Sequence, residues 1–263
     1  MDTRRSQLQE SLTDQPIGRR AFALGLAATA GGALTAGRAA VAQEATPAAG
    51  ETGGAGPSPR LLTPGNCVLA LVDYQPGVAL LVTSIDLQLL INNVTAIAKA
   101  ADAFAVPTVL STVGATFNQD PLLAEIQAVF PDQQPIDRSG LNAWEDPAFV
   151  TAIAATGRRK LVVAGLYTEI CLTLVSLSAA AAGYEVYALV DVSGGLSQTA
   201  HDTALQRMIQ AGVTPVTWMA VMSEWQRDWT RTETAAGLFE VAREHGGAYA
   251  LQAQLAAARG GER

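Results

Sequence analysis

The segment Cys67-Val-Leu-Ala-Leu-Val-Asp73 contains six apolar residues in a row and then ends in a carboxylate. A strand in the middle of a parallel sheet is covered on both faces, so it reads as a continuous apolar run rather than as an alternating one. Residues 160–166 (KLVVAGL) have a similar character. These two segments predict central strands of a parallel sheet with helices on both faces.

Short apolar runs alternate with helical stretches on either side of these two segments. The predicted strands are 67–73, 108–113, 135–138, 160–166, 185–190 and 215–219. The predicted helices are 85–104, 121–129, 146–156, 169–182 and 201–211, with further helix after about residue 220. This order predicts an α/β fold, a three-layer α/β/α sandwich with a six-stranded, mostly parallel sheet.

The first 42 residues are typical of an export signal. Arg19-Arg20-Ala21-Phe22 precedes a mildly apolar Ala/Gly/Leu run, and Ala40-Val41-Ala42 has the small-x-small pattern of a cleavage site. We therefore predict a twin-arginine signal peptide over residues 1–42 and a periplasmic or secreted protein. A general secretory signal is one alternative. A membrane anchor is the other, but it needs about 20 strongly apolar residues, and glycines and threonines interrupt this run.

Residues 43–60 are rich in Gly, Pro, Ala and Glu, which predicts a disordered linker. Residues 61–245 predict one folded domain, and residues 246–263 predict a helical tail. Without the signal peptide the chain carries 12 basic and 21 acidic residues, a net charge of −9. This charge argues against a nucleic-acid partner.

Four polar residues follow predicted strands, where parallel sheets place their functional sites. They are Asp73, Arg138, Cys171 and Asp191. Cys171 would lie in the first turn of a helix, where unpaired N–H groups and the helix dipole favour a reactive thiolate, although a small buried core cysteine is the alternative. Asp73 is a candidate general base and acid. Arg138 could hold an ion pair or oxyanion or lie on the surface, and Asp191 is interpreted as a loop cap.

The two cysteines, Cys67 and Cys171, could in principle form a disulfide in an exported protein. A core built from about 200 residues needs no such cross-link, so both are predicted to be free.

Five segments of the domain match the pattern of a known family. They are 69–75 (LALVDYQ), 138–144 (RSGLNAW), 163–171 (VAGLYTEIC), 183–187 (GYEVY) and 190–194 (VDVSG). Together they resemble the isochorismatase-like cysteine hydrolase superfamily, in particular its YcaC-like branch. The resemblance implies a triad of Cys171, Asp73 and a basic residue. Relatives mostly place lysine where this chain has Arg138, and arginine can supply charge but cannot shuttle a proton.

The resemblance also implies a backbone arrangement that could hold an oxyanion. It implies a cis peptide bond between Tyr167 and Thr168. The backbone N–H groups of Ile170 and Cys171 would then be the donors to the oxyanion. Oligomeric relatives imply a subunit contact at residues 225–229.

Tyr74, Gln75 and Asn142 follow strands and are candidates for substrate contacts. His201 and His245 are the two histidines of the chain and both come late in it, so the paired-histidine metal site of nicotinamidase-type relatives is not expected. His201 is predicted to lie on a solvated helix face, and no cofactor is expected.

These observations predict a cofactor-independent cysteine hydrolase that cleaves an amide-like C–N bond of a small molecule. Two alternatives stay open: isochorismatase-type vinyl ether hydrolysis, and a non-catalytic periplasmic binding or assembly protein on the same scaffold. The expected partners are a small-molecule substrate and further copies of the chain, with no stable membrane anchor. A reactive thiolate at Cys171 would be alkylated well below the ordinary thiol pKa of about 8.5.

Overall fold

A computed structural model describes residues 58–260 of the chain. The predicted signal peptide (1–42) and residues 43–57 of the predicted linker lie outside the described residues, so both stay predictions. Among residues 58–260, every helix falls short of the length or the apolar character that a bilayer-crossing segment requires.

Residues 59–61, near the start of the described part of the chain, are hydrogen-bonded to the rest of the domain. The Lys160 ammonium donates to the carbonyls of Pro59 and Leu61, and the Tyr187 hydroxyl donates to the carbonyl of Arg60 at 2.8 Å. These hydrogen bonds fix backbone that the composition alone assigns to the linker.

Six strands form one sheet in the described part of the chain. They are β1 (Cys67–Val72), β2 (Thr108–Val113), β3 (Ile136–Arg138), β4 (Lys160–Gly165), β5 (Glu185–Leu189) and β6 (Thr214–Val216). Their order is β3-β2-β1-β4-β5-β6, and every neighbouring pair is parallel. The predicted α/β class and six-stranded sheet are confirmed, and the sheet is wholly parallel.

Helices connect and follow these strands. The α-helices are α1 (Pro76–Ala79), α2 (Leu87–Ala103), α3 (Ala115–Asn118), α4 (Ala124–Val129), α5 (Pro147–Ala155), α6 (Thr173–Ala181), α7 (Gln198–Gln210), α8 (Trp218–Gln226), α9 (Thr232–His245) and α10 (Ala248–Gly260). Ala143–Glu145 and Val190–Val192 form 3₁₀ turns, and Thr168–Leu172 forms a π turn.

The sheet separates two apolar cores. In β1, Leu69 and Leu71 face one core while Val68, Ala70 and Val72 face the other, as the two-residue period of a strand requires. Helices α2, α8 and α9 contribute to the first core, and α5, α6 and α7 contribute to the second. This arrangement is the predicted three-layer sandwich.

Two side chains of this region have partners that lie far from them in the sequence. Asp120 does not cap the helix that follows it; its carboxylate accepts from the N–H of Gly77 at 3.0 and 3.1 Å, and α4 begins only at Ala124. Trp225 is 1% exposed and packs on Phe104, with ring centroids 5.9 Å apart, so it belongs to the core rather than to a subunit contact. Trp229 follows α8 and is exposed.

Candidate active site

The candidate site lies between β1 and β4, where the order in which strands are added to the sheet changes from one side of β1 to the other. From β1 the chain adds β2 and β3 on one side, then returns to place β4 on the other side of β1. Val72 is in register with Gly165, so the residues after β1 and β4 meet at the carboxyl edge. Such a reversal opens a crevice between the two connections, which is the usual ligand site of open parallel sheets.

Asp73 and Arg138 form a buried, two-pronged ion pair at this edge. Arg138 Nη1 lies 2.6 Å from Asp73 Oδ1, and Nη2 lies 2.7 Å from Oδ2. The two side chains are 0% and 1% exposed, respectively. Burial alone would lower the pKa of Arg138, but the hydrogen bonds and charge of Asp73 outweigh it and raise that pKa. Arg138 is therefore a permanent cation that holds the Asp73 carboxylate in a fixed position.

Further hydrogen bonds lock Arg138 in place at the end of β3. Nη1 also donates to Ser111 Oγ and to the Thr112 carbonyl, both at 2.9 Å, and Nη2 donates to the Leu141 carbonyl at 3.3 Å. A buried ion pair needs such extra partners to offset the cost of removing both charges from water. The surface alternative for Arg138 is excluded.

Asp73 adopts a backbone conformation that few residues tolerate. Its φ is +63°, in the left-handed region, where Asp and Asn are enriched among non-glycine residues. Its N–H donates to the carbonyl of Ser111 at 2.9 Å. The turn lifts the carboxylate out of the strand direction toward Arg138.

Cys171 lies in the π turn between β4 and α6 and is 4% exposed. Gly165 allows this turn to approach β1 closely, because a Cβ at that position would meet the Cβ and the carbonyl oxygen of Val72 at 3.2 Å. The Asp73 carboxylate lies close enough to the Cys171 thiol for its charge to raise the pKa of the thiol. The structure thus brings Cys171, Asp73 and Arg138 together, with Asp73 between the other two.

Thr168 ties the same turn to its surroundings. Its N–H donates to the carbonyl of Gly194 at 2.9 Å, and its carbonyl accepts from the Thr173 hydroxyl at 2.6 Å. Its hydroxyl lies 2.8 Å from Nδ1 of His201, which is partly buried on α7. The predicted solvated position of His201 is therefore wrong, because its ring supports the turn that carries Cys171.

The backbone of this turn differs from the expected arrangement. The cis peptide bond joins Leu166 to Tyr167, one residue earlier than expected. The N–H groups on either side of this bond are both hydrogen-bonded. The Leu166 N–H donates to the Val72 carbonyl of β1, and the Thr168 N–H donates to the Gly194 carbonyl. The Ile170 N–H donates to the Tyr167 carbonyl at 3.1 Å, so it is not free for an oxyanion. The Tyr167 N–H instead lies near the Cys171 sulfur and lowers the pKa of the thiol.

The resting thiol is protonated, contrary to the sequence expectation of a thiolate. Burial is the largest influence and raises the pKa of Cys171, and the charge and hydrogen bond of Asp73 raise it further. Arg138 and the Tyr167 N–H oppose these effects without overcoming them. Burial likewise raises the pKa of Cys67 to about 11. Both cysteines are free thiols.

We expect alkylation of Cys171 to accelerate continuously as pH rises through 9.0, the ordinary cysteine value, because the thiolate forms only above it. Asp73→Asn removes the charge that raises this pKa, so its alkylation should reach a given rate at lower pH. Iodoacetamide kinetics with peptide mapping would measure both profiles. A rate plateau in the wild type below about pH 7 would contradict the raised pKa.

The three predicted substrate contacts, Tyr74, Gln75 and Asn142, have side chains that are hydrogen-bonded within the protein. The Tyr74 hydroxyl is fully buried and donates to the Val192 carbonyl at 2.6 Å. Gln75 bridges β2 and the next loop by accepting from the Val113 N–H at 2.8 Å and donating to the Asp120 carbonyl at 2.7 Å.

Asn142, the third of these, is also committed internally. Its side chain accepts from the Trp144 N–H and donates to Glu145 and Ser178. Sequence position after a strand located these residues correctly but could not show which way their side chains turn.

Asp191 caps a distant helix rather than the loop that follows it. Its carboxylate accepts from the N–H of Trp218, the first residue of α8, at 3.0 Å. Within residues 58–260, no group of three or more His, Cys, Asp or Glu side chains is arranged to hold a metal ion.

Comparisons with known proteins cover the same part of the chain. A family model of the isochorismatase domain matches residues 67–220. The probable hydrolase YcaC of Escherichia coli (strain K12) is 39% identical over 165 residues, which are 62% of this chain and 79% of that protein.

Two solved structures are similar to the whole domain. The crystal structure of the YcaC gene product from Escherichia coli, an octameric hydrolase of unknown specificity, has a TM-score of 0.72 and 36% identity, covering 76% of this chain and 97% of that one. YcaC from Pseudomonas aeruginosa with hexane-2,5-diol and covalent acrylamide has a TM-score of 0.71 and 33% identity, covering 75% and 97%.

Proposed function

We propose that this chain, which belongs to the isochorismatase family of hydrolases, cleaves an amide-like C–N bond of a small molecule with Cys171 as its nucleophile. The observation that carries the proposal is the position of the Cys171 thiol beside the Asp73 carboxylate, which two hydrogen bonds from Arg138 hold in place. A thiol beside an oriented base is the arrangement that nucleophilic catalysis requires.

In the acylation step, Asp73 takes the thiol proton while the Cys171 sulfur attacks the substrate carbonyl carbon. The new C–S bond leaves a negative oxygen, and Asp73 then gives its proton to the departing nitrogen as the C–N bond breaks. The products of this step are a free amine and an acyl group on Cys171.

In the deacylation step, Asp73 takes a proton from water, whose oxygen attacks the acyl carbon. The C–S bond breaks, the carboxylic acid leaves, and Cys171 regains its proton. Arg138 stays charged throughout and stabilises the carboxylate form of Asp73. This division of roles explains how arginine can stand where relatives have lysine: the proton moves between Cys171, Asp73 and the substrate.

The Tyr167 N–H is the backbone donor that supports oxyanion stabilisation. It lies near the Cys171 sulfur and lowers the pKa of the thiol, and it has no backbone partner among the described residues. A donor held beside the attacking atom is placed to act on charge that develops on the adjacent carbonyl oxygen.

The relatives add two supporting observations. Acrylamide, a small amide, is covalently attached in the Pseudomonas aeruginosa protein, and the Escherichia coli protein is an octamer. A homo-oligomer of this chain is part of the proposal, and light scattering on the purified protein would measure its size.

The proposal is tested by looking for the acyl-enzyme. The purified protein is incubated with a panel of small amides and activated esters, quenched in acid and weighed by mass spectrometry. We expect a single added acyl group, mapped to Cys171, together with release of the amine or alcohol. A Cys67→Ala variant should form the same adduct. Turnover of an amide by a preparation in which the adduct maps elsewhere would refute Cys171 as the nucleophile.

A further inference from the structure

Arg138, the cation of the triad, is enclosed by internal partners, and its Nε is buried without a hydrogen-bond partner among the described residues. Arg138 is 1% exposed, and its two terminal nitrogens donate to Asp73, Ser111, Thr112 and Leu141. Its charge is neutralised by Asp73 at 2.6 Å. An anionic group on a substrate would therefore find no unpaired positive charge beside Cys171.

Two carboxylates lie near the turn that carries Cys171: Glu169, which belongs to the turn, and Asp120, which comes from a neighbouring loop. Tyr167, partly exposed at the start of the turn, lies within the electrostatic reach of Glu169 and Asp120 as well as of Cys171, and all three raise its pKa after the larger effect of burial. Tyr167 therefore presents an uncharged phenol. The fixed charges around it are negative.

Hydrogen bonds hold both carboxylates in these positions. Asp120 accepts from the Gly77 N–H of α1, and Glu169 Oε1 accepts from the Leu196 N–H at 2.9 Å. Glu169 Oε2 is inaccessible to solvent and has no hydrogen-bond partner in the described residues. Arg207 lines a depression beside Glu169, yet no ion pair joins them within 4.0 Å. The Glu169 charge thus lacks a contact cation.

The connections that leave this edge of the sheet also expose large apolar side chains. These are Leu80 (70%), Leu81 (60%), Phe117 (83%), Leu141 (59%) and Leu196 (45%). They belong to the segments after β1, β2, β3 and β5, so four separate connections contribute. Leu141 and Leu196 are tied directly to the site, through Arg138 and Glu169 respectively.

We propose that the surface formed by Asp120, Glu169 and these apolar side chains, here called the entrance, selects uncharged carbonyl compounds with an apolar part and excludes anionic ones. This inference rests on the proposed role of Cys171. An anion entering the site would lose hydration and would approach Asp120 and Glu169 without gaining a cation. A neutral amide loses less hydration and can bury its apolar part against the leucines. A vinyl ether that carries carboxylates fits this entrance poorly, so the inference favours the amide reaction over the vinyl ether alternative.

Iodoacetamide and iodoacetate test this charge selection, because they differ mainly by one negative charge and both alkylate thiols. Second-order rate constants are measured at Cys171 by peptide mapping, in the native protein and in the same protein unfolded in urea at the same pH. The native ratio of amide to acid rate constants should exceed the unfolded ratio by roughly tenfold or more. Mapping keeps the reaction at Cys67 separate.

Charge-removing variants identify the source of the selection. Glu169→Gln and Asp120→Asn keep an oxygen acceptor for Leu196 and Gly77, respectively, and each should lower the native ratio severalfold by speeding the iodoacetate reaction. Asp102→Asn, an exposed residue at the end of α2, removes the same charge far from this edge and should leave the ratio unchanged.

Equal native and unfolded ratios would overturn the inference, as would variants that leave the ratio unchanged. A native Cys171 that resists both reagents would also overturn it, since the entrance would then be closed to neutral molecules, for instance by a second copy of the chain. Alkylation requires no hydrolysis. Charge selection without any detectable amide turnover would therefore sustain the inference and count against the proposed reaction.

Discussion

Replacing Cys171 with alanine is expected to abolish amide hydrolysis, with a loss of roughly a thousandfold or more in kcat. The sulfur forms the covalent bond in the proposed mechanism, so its removal leaves the reaction without its nucleophile. The protein should stay folded, because the substitution removes one atom from a site whose ion pair remains intact. Steady-state kinetics on an amide identified by the acyl-enzyme screen, with circular dichroism, would measure both effects.

Cys67 provides the matched control for this experiment. It is also a free, buried thiol, but it lies at the start of β1, at the opposite end of that strand from Asp73. Cys67→Ala should keep kcat within about twofold while lowering the free energy of unfolding by about 1–2 kcal/mol, a typical cost for truncating a core side chain. If Cys171→Ala kept wild-type turnover, or if Cys67→Ala lost it, the assignment of the nucleophile would be wrong.

The sequence predicted the sheet well because its strands carry their own signal. The continuous apolar runs at 67–72 and 160–165 mark strands that are buried on both faces, and β2 has the predicted bounds. Once the sheet is parallel, the residues after its strands must meet at one edge. This rule brought Asp73, Arg138 and Cys171 together without any information on distances.

What the sequence could not give depends on partners far apart in the chain. Tyr74 donates to a carbonyl 118 residues away, and His201 meets Thr168 across 33 residues. The protonation of Cys171 is of the same kind. The helix start alone favours a thiolate, but burial and Asp73 reverse that preference, and neither effect is visible in the local sequence.

The ion pair between Asp73 and Arg138 is expected to have the largest effect on stability. Arg138→Met removes the cation and leaves a fully buried carboxylate, which should lower the free energy of unfolding by about 3–5 kcal/mol near neutral pH. Arg243→Met is the matched control: Arg243 is 58% exposed and lies 3.6 Å from Glu244, and losing such a surface pair should cost less than about 1 kcal/mol. Urea unfolding curves would provide these values.

A second substitution separates the effect of the unpaired charge from that of lost packing. Asp73→Asn has nearly the same shape, and asparagine tolerates the left-handed φ of +63°. If the cost of Arg138→Met comes from the isolated carboxylate, then Asp73→Asn combined with Arg138→Met should be more stable than Arg138→Met alone, although both variants should lack activity. Strictly additive losses in this cycle would mean that the two side chains are not coupled. Recovery of stability without recovery of hydrolysis would assign to Arg138 the role derived from its hydrogen bonds: a fixed charge that holds the Asp73 carboxylate in place beside Cys171.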